Sequence, residues 1–171
     1  MILLFSAADN TVAKEVCEIL SRNNFGYINK NIMCCHKNNI DTVVCTNRFK
    51  NLSVNSEIAV FTDTSDKYTV TELSKTAMLI VESTNTPIIK QALNRKNTVI
   101  NFGYCKTDTV TISGTGKNSI TVSLQRAIRN IYGIIIEPAD YPITLSKPFS
   151  VPSVLIAATL LIIYGINPAE F

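Results

Sequence analysis

The chain has 171 residues, of which 46% are hydrophobic and 17% charged, with a net charge of +3. That balance excludes a disordered polypeptide and predicts one domain with a substantial buried core. Residues 1–105 carry 11 Lys/Arg against 9 Asp/Glu and the remainder 5 against 4, with no Trp and no basic–aromatic cluster. Nucleic-acid binding by phosphate neutralisation is therefore not expected.

Cys17, Cys34, Cys35, Cys45 and Cys105 are an odd number of thiols, and Met1 leads into "ILLFSA" with no basic segment and only a short apolar stretch. The sequence is read as cytoplasmic, with free thiols.

"MILLFSA" is an apolar run of the kind a buried parallel strand shows, and "ADNTVAKEVCEILSRNN" follows with Val12, Val16, Ile19 and Leu20 at helical spacing. Asp9 or Asn10 is placed to cap that helix. Residues 25–40 show no clear period and are read as irregular, with a weak strand near Tyr27. Four strand-like runs follow, "DTVVCTN" (41–47), "EIAVFTD" (57–63), "AMLIVES" (77–83) and "TVINFG" (98–103). "TVTELSK" (69–75) is expected as a short helix before the third run. Pro87 opens a helix in "TPIIKQALNRK". Strands alternating with helices over 1–105 predict a Rossmann-like, mostly parallel layered α/β sheet.

Beyond Gly103 the period changes. "DTVTIS", "SITVSLQ" and "GIIIEPADYPITL" read as a small antiparallel meander, and the uncharged segment around residues 154–164 as a buried helix. A spanning helix needs about 20 consecutive apolar residues, so the core reading is preferred to a membrane tail. The chain is thus divided into a Rossmann-like part (1–105) and a meander plus helix (106–171), within a single domain.

"TISGTGKNSITV" looks at first like a phosphate-binding loop. A Walker loop needs a glycine at position 111 and a hydroxyl at 118, where Thr111 and Asn118 stand, and a period of two follows it. The stretch is read as a hairpin whose Gly114, Gly116 and Asn118 tolerate positive φ. "CCHK" (34–37) sets two adjacent thiols beside His36, a spacing that does not suit zinc, and no G-x-S-x-G elbow is present. No catalytic residue, metal site or cofactor is assigned.

In open α/β sheets ligands bind beyond the carboxyl ends of the strands. That rule selects Ser6–Asn10, Asn47-Arg48, Thr62–Asp66 and Ser83–Asn85, with Asp9, Asn47, Arg48 and Asp63 as candidate ligand-binding residues. Arg48, or alternatively Lys117, would be the anion contact if the chain were a nucleotide- or anion-binding enzyme.

The order "DTVVCTN", "EIAVFTD", "AMLIVES" and "NTVINFGYCKTDTVTIS", closed by "VPSVLIAATLLIIYGINPAEF", resembles the latter half of the central domain of Mur ligases, the ATP-dependent peptidoglycan-precursor ligases. The resemblance covers roughly residues 41–171. "TDTVTIS…SLQRAI…IEPADYPI" is also similar to small clostridial-type (Firmicutes) proteins. Departures are specific. No T-G-T-x-G-K-[ST] loop lies in the first 40 residues, Arg48-Phe49 follows the Thr46-Asn47 pair where the family has Asp-His, and Ser153 stands near the late-helix Asn. The sequence is read as having no amino-acid-binding domain after Phe171. The resemblance implies the fold without the ligase machinery. The expectation is a non-catalytic domain that binds a protein partner or small ligand, linked to cell-wall metabolism, with homo-oligomerisation open.

Overall fold

The computed structural model describes residues 2–5, 11–21, 26–29, 32–34, 41–45, 58–62 and 76–170. They build one ten-stranded sheet, a separate two-stranded ribbon and three α-helices. In chain order the elements are β1 (Ile2–Phe5), α1 (Thr11–Ser21), β2 (Gly26–Asn29), β3 (Ile32–Cys34), β4 (Asp41–Cys45), β5 (Ile58–Phe61), β6 (Met78–Glu82) and α2 (Thr86–Asn94). Then come β7 (Thr98–Phe102), β8 (Val110–Thr115), β9 (Ser119–Leu124), β10 (Ile128–Arg129), β11 (Ile135–Ile136), β12 (Ala139–Thr144) and α3 (Val151–Ile163), with a final 3₁₀ turn at Pro168–Glu170.

The strand order is β12-β9-β8-β7-β6-β5-β1-β4-β2-β3. From β2 across to β8 every neighbouring pair is parallel, while β3, β9 and β12 are joined antiparallel to theirs. The α/β class is as the sequence predicts. The meander is not a separate sheet, however: Phe102 of β7 pairs in parallel with Val110 of β8, so β8, β9 and β12 continue the main one.

The central strands explain why their sequences are continuous apolar runs. Ile58, Ala59, Val60 and Phe61 are all fully buried, as are Ile80 and Val81. Ile58, Val60, Ile80, Ile100 and Phe102 join α1 and α3 in one core cluster, whereas Ile88 and Ala92 of α2 are buried outside it. Burial of both faces is what a parallel sheet requires.

α1 presents Ala13, Val16, Cys17, Ile19 and Leu20 to the interior. α2 is capped by Asn85, whose Oδ1 accepts from Ile88 N at 3.4 Å, and Pro87 sits in its first turn. α3 is apolar all round and buried from Ser153 to Ile163, as a helix without a polar face is when it lies in a protein core. It starts three residues earlier than the sequence predicts, with Pro152 inside its first turn. Its one mid-helix hydroxyl is satisfied locally, Thr159 Oγ1 donating to Leu155 O at 2.7 Å. Among the described residues no helix is long and apolar enough to cross a membrane.

Three local expectations change. Gly26–Asn29 and Ile32–Cys34 pair antiparallel as β2 and β3, Tyr27 opposite Cys34, where the sequence predicts an irregular stretch with a weak strand near Tyr27. The third extended stretch divides, Ile135–Ile136 pairing with Ile128–Arg129 and Ala139–Thr144 forming the sheet's edge strand with Pro142 in it. The third concerns the β8–β9 turn: Gly114 and Gly116 do not take positive φ, and neither does Asn118. Gly114 falls at a bulge in the β8–β9 register, and a Cβ on Gly116 would stand 2.4 Å from Ser119 Oγ, a hydroxyl that would have to turn away. The helix expected over 69–75 lies outside the described residues.

Candidate functional site

The carboxyl ends of three adjacent strands are level. Phe5 of β1 has Cys45 of β4 as its partner on one side and Phe61 of β5 on the other. From β1 the chain passes through α1 to β2, β3 and β4 on one side; from β5 it passes to β6 and β7 on the other. The direction of winding therefore reverses between β1 and β5, the position at which open α/β sheets bind ligands.

Asp9, Asn47, Arg48 and Asp63 follow β1, β4 and β5 in the sequence, and all four lie outside the described residues, as do Cys35 and His36. Thr62, the first residue beyond β5, is buried, and its carbonyl accepts from Asn85 Nδ2 at 2.9 Å. The N-cap of α2 thus also ties the end of β5 to the end of the β6–α2 connection. Lys117 is exposed in the β8–β9 turn. β8 begins where β7 ends and stands four strands from β1, which at about 4.8 Å per strand is roughly 19 Å. The structure does not bring Lys117 to the β1/β5 position, and no helix follows it to bind a phosphate.

The described wall of the strand-end region is built at β6 and β7. Asp108 is 2% exposed and lies in the turn between β7 and β8. Its Oδ1 accepts from Asn101 Nδ2 at 2.8 Å, and its Oδ2 from Cys105 N at 2.9 Å and, more weakly, from Ser83 Oγ at 3.4 Å. Asn101 Oδ1 in turn accepts from Thr109 N at 3.1 Å and Thr109 Oγ1 at 2.7 Å, which fixes the orientation of its amide. Thr111 Oγ1 donates to Gly103 O at 2.9 Å, and Arg126 Nη2 donates to Thr107 O. A buried carboxylate with this many donors is a structural anchor, because a buried polar group that is fully bonded holds its surroundings in one arrangement. The anchored turn sets Tyr104 at the rim, 60% exposed. Partial burial, and then the negative charge of Glu82, push the Tyr104 phenol above its ordinary range.

The sequence reading selected Ser83–Asn85 by the strand-end rule but passed over Asn101, Gly103 and Asp108. The available signal was Asn101 itself, a polar residue in the apolar run "TVINFG". Cys17 is buried and Cys105 exposed, both outside any disulfide. Among the described residues no group of three or more His, Cys, Asp or Glu could hold a metal ion.

No family model and no curated protein matches the sequence. Solved structures do match the fold, murein peptide and UDP-N-acetylmuramoyl-peptide ligases among them. A murein peptide ligase Mpl from Psychrobacter arcticus 273-4 superposes with a TM-score of 0.59 at 10% identity, over 97% of this chain and 44% of its own. MurF from Acinetobacter baumannii gives 0.55 at 9%, over 97% and 43%. A UDP-N-acetylmuramoyl-L-alanyl-D-glutamate–2,6-diaminopimelate ligase gives 0.56 at 11%, over 98% and 44%. The chain has a Mur-ligase-like fold and spans less than half the length of these ligases.

Proposed function

We propose that the chain is a non-catalytic, Mur-ligase-like α/β protein that binds a small ligand or a protein partner at the carboxyl ends of β1, β4 and β5, in a setting linked to cell-wall metabolism. Asp9, Asn47, Arg48 and Asp63 are its ligand contacts. One observation carries the reading. The fold is that of the murein ligases over nearly the whole chain, yet the five residues after β1 are Ser6-Ala7-Ala8-Asp9-Asn10, with no glycine and no lysine. A backbone that cradles phosphates needs glycines for close approach and a lysine for charge. A shared fold does not by itself transmit an activity.

Calorimetric titration of the full chain with ATP and with a UDP-N-acetylmuramoyl peptide tests it. The expected result is no ATP affinity in the micromolar range, and binding of any muropeptide-type ligand weakened at least tenfold by Arg48→Ala or Asp63→Ala. Micromolar ATP binding with release of phosphate would overturn the proposal. ATP binding lost in Lys117→Ala would do so too, and would move the site to the β8–β9 turn.

A further inference from the structure

The contact between α1 and α3 is apolar at its centre and polar along one edge. At that edge a single oxygen receives three donors. Glu15 Oε2 accepts from Ser150 N at 3.0 Å, Ser150 Oγ at 2.5 Å and Ser153 Oγ at 2.7 Å. Ser150 is the N-cap of α3 and makes no side-chain cap bond within its own helix. The start of α3 is therefore tied to α1, through a residue 135 positions earlier in the chain.

Three residues beyond Glu15, Glu18 holds Lys147 Nζ at 2.7 and 2.8 Å from its two oxygens. Lys147 also lies over the Phe149 ring, 5.2 Å from its centre. Among the described residues, Lys14 and Glu18 on α1 and Lys147 before α3 are the charged neighbours, while Val151–Ile163 carries no ionisable side chain. A carboxylate at a helix N-terminus is favoured by the helix dipole and by charge-assisted hydrogen bonds. Burial opposes the charge on Glu15, but the bonds from Ser150 and Ser153, with Lys147, outweigh it and hold the carboxyl below its ordinary range.

We infer that this edge is a clasp: the Glu15 carboxylate holds α1 against α3, and α1 opens as a local unit, with the sheet intact, when that carboxylate is lost. α1 is the helix that leads away from β1, so the clasp fixes the far end of the connection at the β1/β5 switch. The mechanism is independent of what that position binds. Proteins open in segments whose stabilities differ, and a helix whose polar edge hangs on the bonds of one part-buried carboxylate is a candidate for the lower end of that range.

Cys17 reports on the clasp because it is buried on α1 and is labelled when the helix lifts or when the whole chain unfolds, two routes that urea dependence separates. The experiment is labelling of the full native chain with a thiol reagent at neutral pH and low urea, with the Cys17 peptide followed by mass spectrometry. Glu15→Gln keeps the shape and one acceptor oxygen but removes the charge. It is expected to raise the Cys17 labelling rate about tenfold, and Ser153→Ala, which removes one donor of three, about threefold. In both, the rate should depend on urea far less steeply than global unfolding does, since a local opening exposes little surface.

An unchanged rate in Glu15→Gln would overturn the clasp. A Cys17 rate that follows the full urea dependence of global unfolding would also overturn it, because α1 would then open only with the whole core. A Glu15→Gln chain without the wild-type circular dichroism would do the same.

Discussion

A Cβ added to Gly103 would stand 2.5 Å from Asp108 Oδ2 and 2.4 Å from Ser83 Oγ. Gly103 does not have positive φ, so the glycine is required by space and not by backbone conformation. Ser83 can turn its hydroxyl away, but Asp108 is held by Asn101 and Cys105 as well. Gly103→Ala should therefore destabilise the chain by about 1–3 kcal/mol, the usual cost of overpacking a filled site. Urea midpoints measure it. Adding Ser83→Ala should return only part of the loss, and full recovery would show that Ser83, and not Asp108, sets the limit.

Asp108→Asn tests the donors around that carboxylate. Asn101 Nδ2 points at one oxygen and Cys105 N at the other. An amide must therefore place its own NH₂ against one of these donors, whichever way it turns. The expected cost is about 2–3 kcal/mol, as for a buried donor left facing a donor. Hydrogen exchange should locate it in residues 103–109, and an undisturbed turn would contradict the network.

The pH dependence of stability should carry the signature of Glu15. Its folded-state carboxyl lies below the ordinary value of 4.5, the bonds from Ser150 and Ser153 outweighing the effect of burial. A depressed acid stabilises the fold fully above that ordinary value, and the contribution disappears as pH falls through the folded one. Wild type should exceed Glu15→Gln by about 1 kcal/mol from pH 5 to 7, a figure already reduced for solvent screening of a partly exposed group. The difference should shrink steadily below pH 4.5. A gap that persists to pH 3, measured by chemical denaturation, would point to lost packing instead of lost charge.

Lys96 is the one described non-glycine residue with positive φ, at 62°. It closes α2 in a Schellman arrangement, Lys96 N donating to Leu93 O at 3.0 Å and Asn97 N to Ala92 O at 3.1 Å. A side chain in that conformation is strained, so Lys96→Gly should stabilise the protein by about 0.5–1 kcal/mol and raise Tm by roughly 2 °C. Scanning calorimetry decides it.

The sequence was most legible where one physical demand acts alone. "IAVF" and the "LIV" of β6 are buried and read as parallel strands because nothing but apolar residues is tolerated there. α2 was found from Pro87, and α3 from the length of its uncharged run. The Walker-like stretch is legible as a turn by counting positions, although its glycines do not take the positive φ expected of them. The anchor of the strand-end wall was less legible. Asn101 and Asp108 meet only because β7 and β8 are joined by one parallel contact, a tertiary fact with no periodic trace. The Glu15 clasp spans 135 positions, and no local pattern signals it. Asp9, Asn47, Arg48 and Asp63 were chosen by strand-end position alone, and the level ends of β4, β1 and β5 are the part of that argument the fold supplies.

Pro142 lies in β12, the last strand at one margin of the sheet, opposite Thr121 of β9. Proline offers no N–H, and within sheets it is confined to edges, to strand starts and to bulges. Lateral growth of the sheet is therefore interrupted at this margin: an incoming extended peptide would find a gap in the ladder of donors.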